Sequence, residues 1–214
     1  MISKRLKAIA EFIEKDKVVY DVGSDHAYLP CFLVLNGITN KAYAVDNKIG
    51  PLNKAKENIK NNNLEGKVIP ILSNGIDDIK NDVDIIVLSG LGFYTVKDIL
   101  ENKDLTKYSK IIVQVNKDTN LLRKWISDLN YSIIDEKVVY DDFYYEIVVF
   151  NSSYSKKLDD KEIKYGPINL LKKDSIFIDC LKYKKSKYEA INRASNSTLY
   201  ADDIALINDI ILKD

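Results

Sequence analysis

The sequence predicts an α/β protein built on a mostly parallel, doubly wound β-sheet. Short apolar runs rich in β-branched residues alternate with segments of helical periodicity from residue 17 to residue 129. The runs are continuously apolar, as expected of strands that helices cover on both faces. The last two runs leave no room for a helix between them, so they should pair antiparallel and end the sheet in a hairpin.

Each predicted strand is an apolar run that ends at a polar residue or at glycine. The runs cover residues 17–23, 42–45, 68–72, 84–88, 110–115, 131–140 and 144–150. Predicted helices fill the intervals, over residues 3–15, 28–35, 51–61, 96–100 and 119–129. In the first helix, Leu6, Ile9 and Ile13 share one face, and Pro51 stands where the third helix begins. Seven strands with a final hairpin are typical of a Rossmann-like methyltransferase core.

The composition changes after Phe150. A polar, Ser- and Lys-rich stretch follows, and then two amphipathic segments over 174–193 and 199–212, separated by a polar break at Asn196-Ser197. Their apolar spacing predicts an antiparallel, coiled-coil-like helical hairpin. We therefore expect a Rossmann-like domain over residues 1–152 and a C-terminal helical hairpin over residues 153–214.

The composition is that of a globular protein without membrane spans. The chain has 214 residues, 46% of them hydrophobic, and 32 basic against 32 acidic side chains. No apolar run approaches the ~18 residues that a membrane helix requires, and no signal-peptide core follows the N-terminus. We expect a cytoplasmic protein, with Cys31 and Cys180 as free thiols. A single histidine and no cysteine cluster make a metal site improbable.

The strand ends carry the polar residues that predict a binding site. In a parallel sheet, ligands bind outside the carboxyl ends of the strands. The first turn has one glycine, Gly23, and lacks the further glycines that cradle a dinucleotide pyrophosphate. A ligand without phosphate, such as S-adenosylmethionine, fits better. Asp46 follows the second strand, where a carboxylate can accept from both ribose hydroxyls, and Asn74 could recognise the adenine edge.

Each of these residues also has a simpler interpretation. Asp46 could be only a turn residue, and Asn74-Gly75 is an ordinary turn dipeptide. His26 could be a core histidine, and lysines along a helix usually form a solvated face. Only the joint pattern at successive strand ends favours a methyltransferase over these alternatives.

Several motifs resemble the bacterial TrmK family of tRNA (adenine22-N1)-methyltransferases. The longest are Ser3-Lys4-Arg5-Leu6 and the run from Asp21 to Pro30, DVGSDHAYLP. Later matches follow in order: Gly50-Pro51, Gly90-Leu91-Gly92, Gln114-Val115-Asn116, Leu122-Arg123-Lys124-Trp125, Asp135-Glu136, Tyr145-Glu146 and Gly166-Pro167. The resemblance covers essentially the whole chain. It departs from the family at Asp46 (Glu), Asn74 (Asp), Phe93 (Gly) and Val115 (Pro).

The resemblance implies methyl transfer from S-adenosylmethionine to N1 of adenine 22 in the D arm of tRNA. The expected cofactor-binding residues are Asp21, Gly23, Ser24, Asp25, Asp46, Asn47, Asn74 and Gly75. The expected catalytic or target-base residues are His26, Tyr28, Gly90, Leu91 and Asn116. The expected tRNA-binding residues are Lys4, Arg5, Lys182, Lys184, Lys185 and Lys187.

Other functions stay open at this point. A class I methyltransferase acting on a small molecule or a protein would share the cofactor site without needing the basic hairpin. A catalytically degenerate RNA-binding module is a second alternative, which Phe93 in place of glycine supports. A dehydrogenase is disfavoured by the first turn. We expect a monomer that binds tRNA, with no metal and no membrane partner.

Overall fold

The computed structural model describes residues 2–212, and its centre is a seven-stranded sheet in the order β3-β2-β1-β4-β5-β7-β6. The strands are β1 Val19–Val22, β2 Ala42–Asp46, β3 Val68–Leu72, β4 Ile85–Leu91, β5 Lys110–Val115, β6 Tyr131–Asp141 and β7 Phe143–Tyr154. Strands β1 to β5 are parallel, and β7 runs antiparallel to both β5 and β6. The predicted fold class is confirmed.

Helices cover both faces of the sheet and continue beyond it. They are α1 Lys4–Ala10, α2 Tyr28–Leu35, α3 Ile49–Asn61, α4 Phe93–Leu100, α5 Thr119–Asp128, α6 Asp160–Tyr165, α7 Pro167–Lys172, α8 Ser175–Ala194 and α9 Ala201–Leu212. A short 3-10 turn over Asp25–Ala27 precedes α2.

Two elements differ most in length from the sequence prediction. Helix α1 ends at Ala10 rather than at residue 15, because the next amides form turn bonds, such as Ile13 N to Ala10 O at 3.1 Å. Ile13 is buried all the same. Strand β7 runs to Tyr154, past the predicted boundary after residue 152, because Tyr131 of β6 still pairs with Tyr154.

The core lies in layers on the two faces of the sheet. Tyr20 and Ile86 point to the layer that α4 and α5 complete, whereas Val19 and Ile85 point to the layer that α1 and α2 complete. This alternation within single strands is the period of two that an extended chain imposes. All four side chains are fully buried, so the strand ends are held on a rigid scaffold.

Helices α6 to α9 pack on the outer strand β6. Val138 of β6 is buried together with Phe177 and Leu181 of α8 and Ile207 of α9. This shared cluster attaches the C-terminal helices directly to the sheet. The division into domains 1–152 and 153–214 stays a prediction, and residues 1, 213 and 214 of those ranges lie outside the described part of the chain.

Within residues 2–212, no helix is long and apolar enough to cross a membrane. The same part of the chain has no cluster of three or more His, Cys, Asp or Glu side chains that could hold a metal ion.

Candidate methyltransferase active site

A cleft of about 610 Å³ lies across the carboxyl ends of β1 to β4. Five of the residues predicted to bind the cofactor line it: Gly23, Asp46, Asn47, Asn74 and Gly75. They come from three different strand ends, which the parallel pairing of β1, β2 and β3 brings to one edge of the sheet. The cleft is therefore where a doubly wound sheet binds its ligand.

The turn after β1 is held by backbone hydrogen bonds and by close packing. Gly23 N and Ser24 N both donate to Val45 O, each at 2.9 Å. Gly23 has a φ of +73°, and a Cβ added there would lie 3.3 Å from Leu91 Cδ2. Glycine is favoured because a side chain would be strained and would narrow the cleft.

The turn continues through two residues in an unusual backbone conformation. His26 and Ala27 have φ values of +60° and +54°, in the left-handed region that non-glycine residues avoid. Asn58 of α3 donates its Nδ2 to His26 O at 2.7 Å and fixes this segment. The His26 ring stacks on Tyr28, with centroids 5.1 Å apart. His26 is thus neither a core residue nor a lining residue of the cleft, but a support for Tyr28.

Asp46 makes a turn interaction and also lines the cleft. Its Oδ1 accepts from Lys48 N at 2.8 Å, which is a turn interaction. The carboxylate also lines the cleft, and within residues 2–212 its Oδ2 has no hydrogen-bond donor. That oxygen can accept from a ribose, as a carboxylate at the end of the second strand does in nucleoside-binding sheets.

A second cavity of about 450 Å³ adjoins the first at Gly23. Its lining includes the remaining predicted cofactor residues, Asp21, Ser24 and Asp25, together with Tyr28. Asp21 is only 6% exposed. Burial raises the pKa of this carboxyl group to about 7, although Arg5 nearby opposes the shift. A cationic ligand group in this cavity would favour the ionised form of Asp21.

Hydrogen bonds join the ends of β4 and β5 beside this cavity. Asn116 Nδ2 donates to Gly90 O at 2.7 Å, and Gly90 N donates to Gln114 Oε1 at 3.1 Å. Arg5 Nη1 donates to Ser89 Oγ at 3.2 Å and makes a short bond to Gln114 Oε1. The predicted pair Gly90 and Asn116 is thus in direct contact, and Leu91 reaches the cleft. Arg5, which we expected to bind tRNA, is thus bonded to the ends of β4 and β5.

The predicted tRNA-binding lysines of α8 are mostly engaged within the protein. Lys184 Nζ lies 2.8 Å from Glu146 Oε1, and Lys182 Nζ lies 3.3 Å from Asp179 Oδ1. Lys185 is 3.8 Å from Glu189 one turn away. Three further groups stand outside these pairs: Lys4 is exposed on α1, Lys187 Nζ lies 4.5 Å from the centre of the Tyr183 ring, and Lys117 follows β5.

One buried ion network was missed at the level of sequence. Arg123 is fully buried and bonds Glu136 Oε1 at 2.7 Å and Glu146 Oε2 at 2.6 Å. Burial works against the ionised form of Glu146, but Lys184 and Arg123 outweigh it and lower its pKa to about 2. The signal was available, since three of the family-like motifs each contain one of Arg123, Glu136 and Glu146.

Phe93 does not obstruct the site. It is the first residue of α4 and is buried in the core beside Val96 and Leu100. Its side chain lines neither the cleft nor the adjoining cavity. Phe93 therefore no longer supports a catalytically degenerate site.

The two joined cavities suit one elongated ligand with a nucleoside at one end and charged amino-acid groups at the other. The cleft offers a ribose acceptor at Asp46 and an amide at Asn74, and the second cavity offers carboxylates at Asp21 and Asp25. Acidic side chains outnumber basic ones in both linings, which disfavours a pyrophosphate. S-adenosylmethionine has the required distribution of groups.

Comparison with known proteins identifies the family of the chain. The family described as "Methyltransferase domain" matches residues 2–148. The tRNA (adenine(22)-N(1))-methyltransferase of Bacillus subtilis is 32% identical over 92% of this chain and 88% of its own. TrmK of M. capricolum, solved with S-adenosyl-homocysteine, has 34% identity and a TM-score of 0.83, covering 99% of this chain and 98% of its own. Sp1610 of Streptococcus pneumoniae, solved with S-adenosyl-L-methionine, has 29% identity and a TM-score of 0.89, covering 99% and 100%. The chain belongs to the tRNA (adenine(22)-N(1))-methyltransferase family.

Proposed function

We propose that this chain transfers a methyl group from S-adenosylmethionine to N1 of adenine 22 in the D arm of tRNA. The observation that carries the proposal is the meeting, at Gly23, of a nucleoside-sized cleft and a second polar cavity. The similarity to an enzyme of that specificity along 92% of the chain supports the choice of acceptor. The reaction is placed in the cytoplasm, with the chain acting as a monomer.

The cofactor half of the site is assigned from the cavity linings. When bound, S-adenosylmethionine supplies an electrophilic methyl group on a positively charged sulfur. Asp46 Oδ2 accepts from the ribose hydroxyls, and Asn74 hydrogen-bonds the adenine edge. Asp21 and Asp25 face the cationic amino group in the second cavity.

The acceptor half requires positioning more than acid–base chemistry. Adenine N1 has a free lone pair, so the chain need not remove a proton before methyl transfer. Tyr28, held by the stacked His26, offers a ring face to the base, and the Gly90–Asn116 pair offers polar groups at the ends of β4 and β5. Orientation of this kind can lower a barrier by roughly 7–11 kcal/mol.

The ion pairs of α8 lead us to revise which cations we propose as tRNA contacts. Lys4 and Lys187 stay candidates for phosphate contacts, with Lys182 and Lys185 available after release of weak, exposed pairs. Lys184 and Arg5 are assigned to internal support, because their charged groups already bond Glu146 and Gln114.

The test measures formation of the methylated product and affinity for the cofactor, in the wild type and in two variants. Purified protein, S-adenosylmethionine and an unmodified tRNA with adenine at position 22 should yield 1-methyladenosine, detected by mass spectrometry after digestion. Asp46→Ala should lower S-adenosylmethionine affinity at least tenfold, since it removes a charged acceptor of about 1.5–3 kcal/mol. Asp160→Ala, an exposed change in the first turn of α6, is the matched control.

Two results would contradict the proposal. Wild-type cofactor affinity in Asp46→Ala would reduce Asp46 to its turn interaction with Lys48. Cofactor binding without methylation of any tRNA would point to a different methyl acceptor.

A further inference from the structure

The largest of the described cavities, about 860 Å³, lies outside the cofactor site, between the β6–β7 turn and α8. We call it the aromatic groove, because six rings line it: Tyr140, Phe143, Tyr144, Tyr145, Tyr183 and Tyr188. It belongs to neither the cofactor cleft nor the cavity beside Tyr28.

The rings form a connected but open surface. Tyr140 and Tyr144 have centroids 5.0 Å apart, and Tyr144 and Tyr183 have centroids 5.5 Å apart. Phe143 at the turn is 68% exposed, Tyr140 49% and Tyr183 47%. Clustered exposed aromatic rings of this kind mark an interaction site.

Cations flank the rings. Lys187 Nζ lies 4.5 Å from the Tyr183 centroid, and Lys117 also lines the groove. Neither lysine has an ion-pair partner among residues 2–212, unlike Lys184, which Glu146 neutralises within the same wall. Lysines without an ion-pair partner, beside exposed aromatic rings, match a ligand with phosphates and bases, which is single-stranded nucleic acid.

The groove lies next to the proposed acceptor site, and side-chain contacts connect their linings. Asn116 lines its inner end, and the same side chain donates to Gly90 O at the end of β4. Tyr145 of the groove lies under Arg5, 5.4 Å from guanidinium carbon to ring centre, and Arg5 bonds Ser89. The rings are therefore within reach of a strand whose base enters the acceptor site.

We propose that the aromatic groove holds the unpaired tRNA strand next to the methylated adenine, with bases stacked on Phe143 and Tyr183 and phosphates at Lys117 and Lys187. This assignment rests on the proposed function. It moves the main tRNA contact from the lysine face of α8 to the groove between α8 and the β6–β7 turn. Stacking there offsets the few kcal/mol required to extrude the target base.

The experiment measures tRNA affinity by fluorescence anisotropy with end-labelled, unmodified tRNA. Stacking contributes about 1–3 kcal/mol per base, so Phe143→Ala and Tyr183→Ala should each weaken binding about 5- to 150-fold. Phe143→Trp should retain binding. S-adenosylmethionine affinity should be unchanged in all three variants, as no groove ring lines the cofactor cleft.

Controls separate stacking from charge and from folding. Tyr154→Ala removes an 83% exposed ring at the far end of β7 and should leave tRNA affinity unchanged. Lys187→Ala should lower the slope of log affinity against log salt by about 0.7–0.9, whereas Phe143→Ala should leave that slope intact. Phe143 lies at an exposed turn, so Phe143→Ala should remove the stacking contact with tRNA without lowering the stability of the protein. It therefore tests the contact even if Tyr183→Ala lowers stability.

Two outcomes overturn the assignment. One is wild-type tRNA affinity in both Phe143→Ala and Tyr183→Ala. The other is a concentration-dependent dimer in sedimentation that Phe143→Ala dissolves, which would make a second copy the occupant. Formation of 1-methyladenosine by the wild type, measured in parallel, shows whether the groove alone fails or the proposed function fails with it.

Discussion

Replacing Arg123 with methionine tests whether one buried ion network holds the C-terminal helices on the sheet. Arg123 of α5 bonds Glu136 of β6 and Glu146 of β7. The second oxygen of Glu136 accepts from Ile168 N at 2.9 Å, at the start of α7. Glu146 also binds Lys184 of α8. The network thus links the sheet to two C-terminal helices.

The expected loss of stability follows from the burial of these charged groups. Arg123 and Glu136 are fully buried, and the Glu146 side chain is 14% exposed. Removing one partner of a buried pair leaves an uncompensated charge and costs about 3–5 kcal/mol. With an unfolding entropy of about 2.1 cal/mol/K per residue, this corresponds to a fall in Tm of roughly 7–11 °C for a chain of this length.

The assay is thermal unfolding followed by circular dichroism. The matched control is Arg193→Met on the exposed surface of α8, whose stability should lie within about 0.5 kcal/mol of wild type.

Burial already raises the pKa of Glu136, so without Arg123 this carboxyl group should take up a proton in the folded state. The folded variant then binds more protons than the unfolded chain, so its deficit should grow from pH 5 to pH 8. A loss of stability below about 1 kcal/mol, or one equal to that of Arg193→Met, would refute the reasoning.

Three further changes probe other parts of the structure. Asp21 has a folded pKa of about 7, so the folded state retains a proton that the unfolded chain releases near pH 4, and stability should fall as pH rises between these values. Asp21→Asn should therefore be more stable than wild type at pH 8, by up to about 4 kcal/mol, and nearly as stable as wild type at pH 4. Urea unfolding that gives the same difference in stability at pH 4 and pH 8 would contradict this. Gly166 has a φ of +90°, and a Cβ there would overlap the Glu136 carboxylate, so Gly166→Ala should lose at least about 2 kcal/mol; an unchanged Tm would show that the turn can relax. Burial raises the pKa of the Cys31 and Cys180 thiols to about 11, so both should react with a thiol reagent at pH 8 only after denaturation, and rapid labelling of the folded protein would contradict their burial.

The strands and the cofactor edge were predictable because they depend on local patterns. A buried parallel strand has to be apolar along its length, so β3 and β5 have the bounds that the sequence predicts. Strand ends have to turn, and in a parallel sheet these turns meet at one edge, which is how Gly23, Asp46 and Asn74 come to line one cleft. Helix α1 and strand β7 were misjudged in length, because turn bonds and cross-strand pairing decide where they end.

The lysines show the limit of sequence reasoning. Lys184 and Lys187 lie one helical turn apart and have the same chemistry, yet Glu146 pairs with the first and the Tyr183 ring lies under the second. Arg5 stands in a basic N-terminal segment, but its side chain bonds Ser89 and Gln114. The partner of each cation comes from a distant part of the chain, so spacing along the sequence does not indicate which charge is free.

By itself, the sequence determined the α/β architecture, the order of the elements, the family and the edge of the sheet at which the cleft lies. These properties follow from periodicity and from motifs whose residues act where they stand in the chain. The tertiary structure alone decided that Arg123, Glu136, Glu146 and Lys184 form one network, and that rings from β6, β7 and α8 form one groove. Burial and pairing of charges depend on contacts between residues far apart in sequence, and only the folded chain brings those residues together.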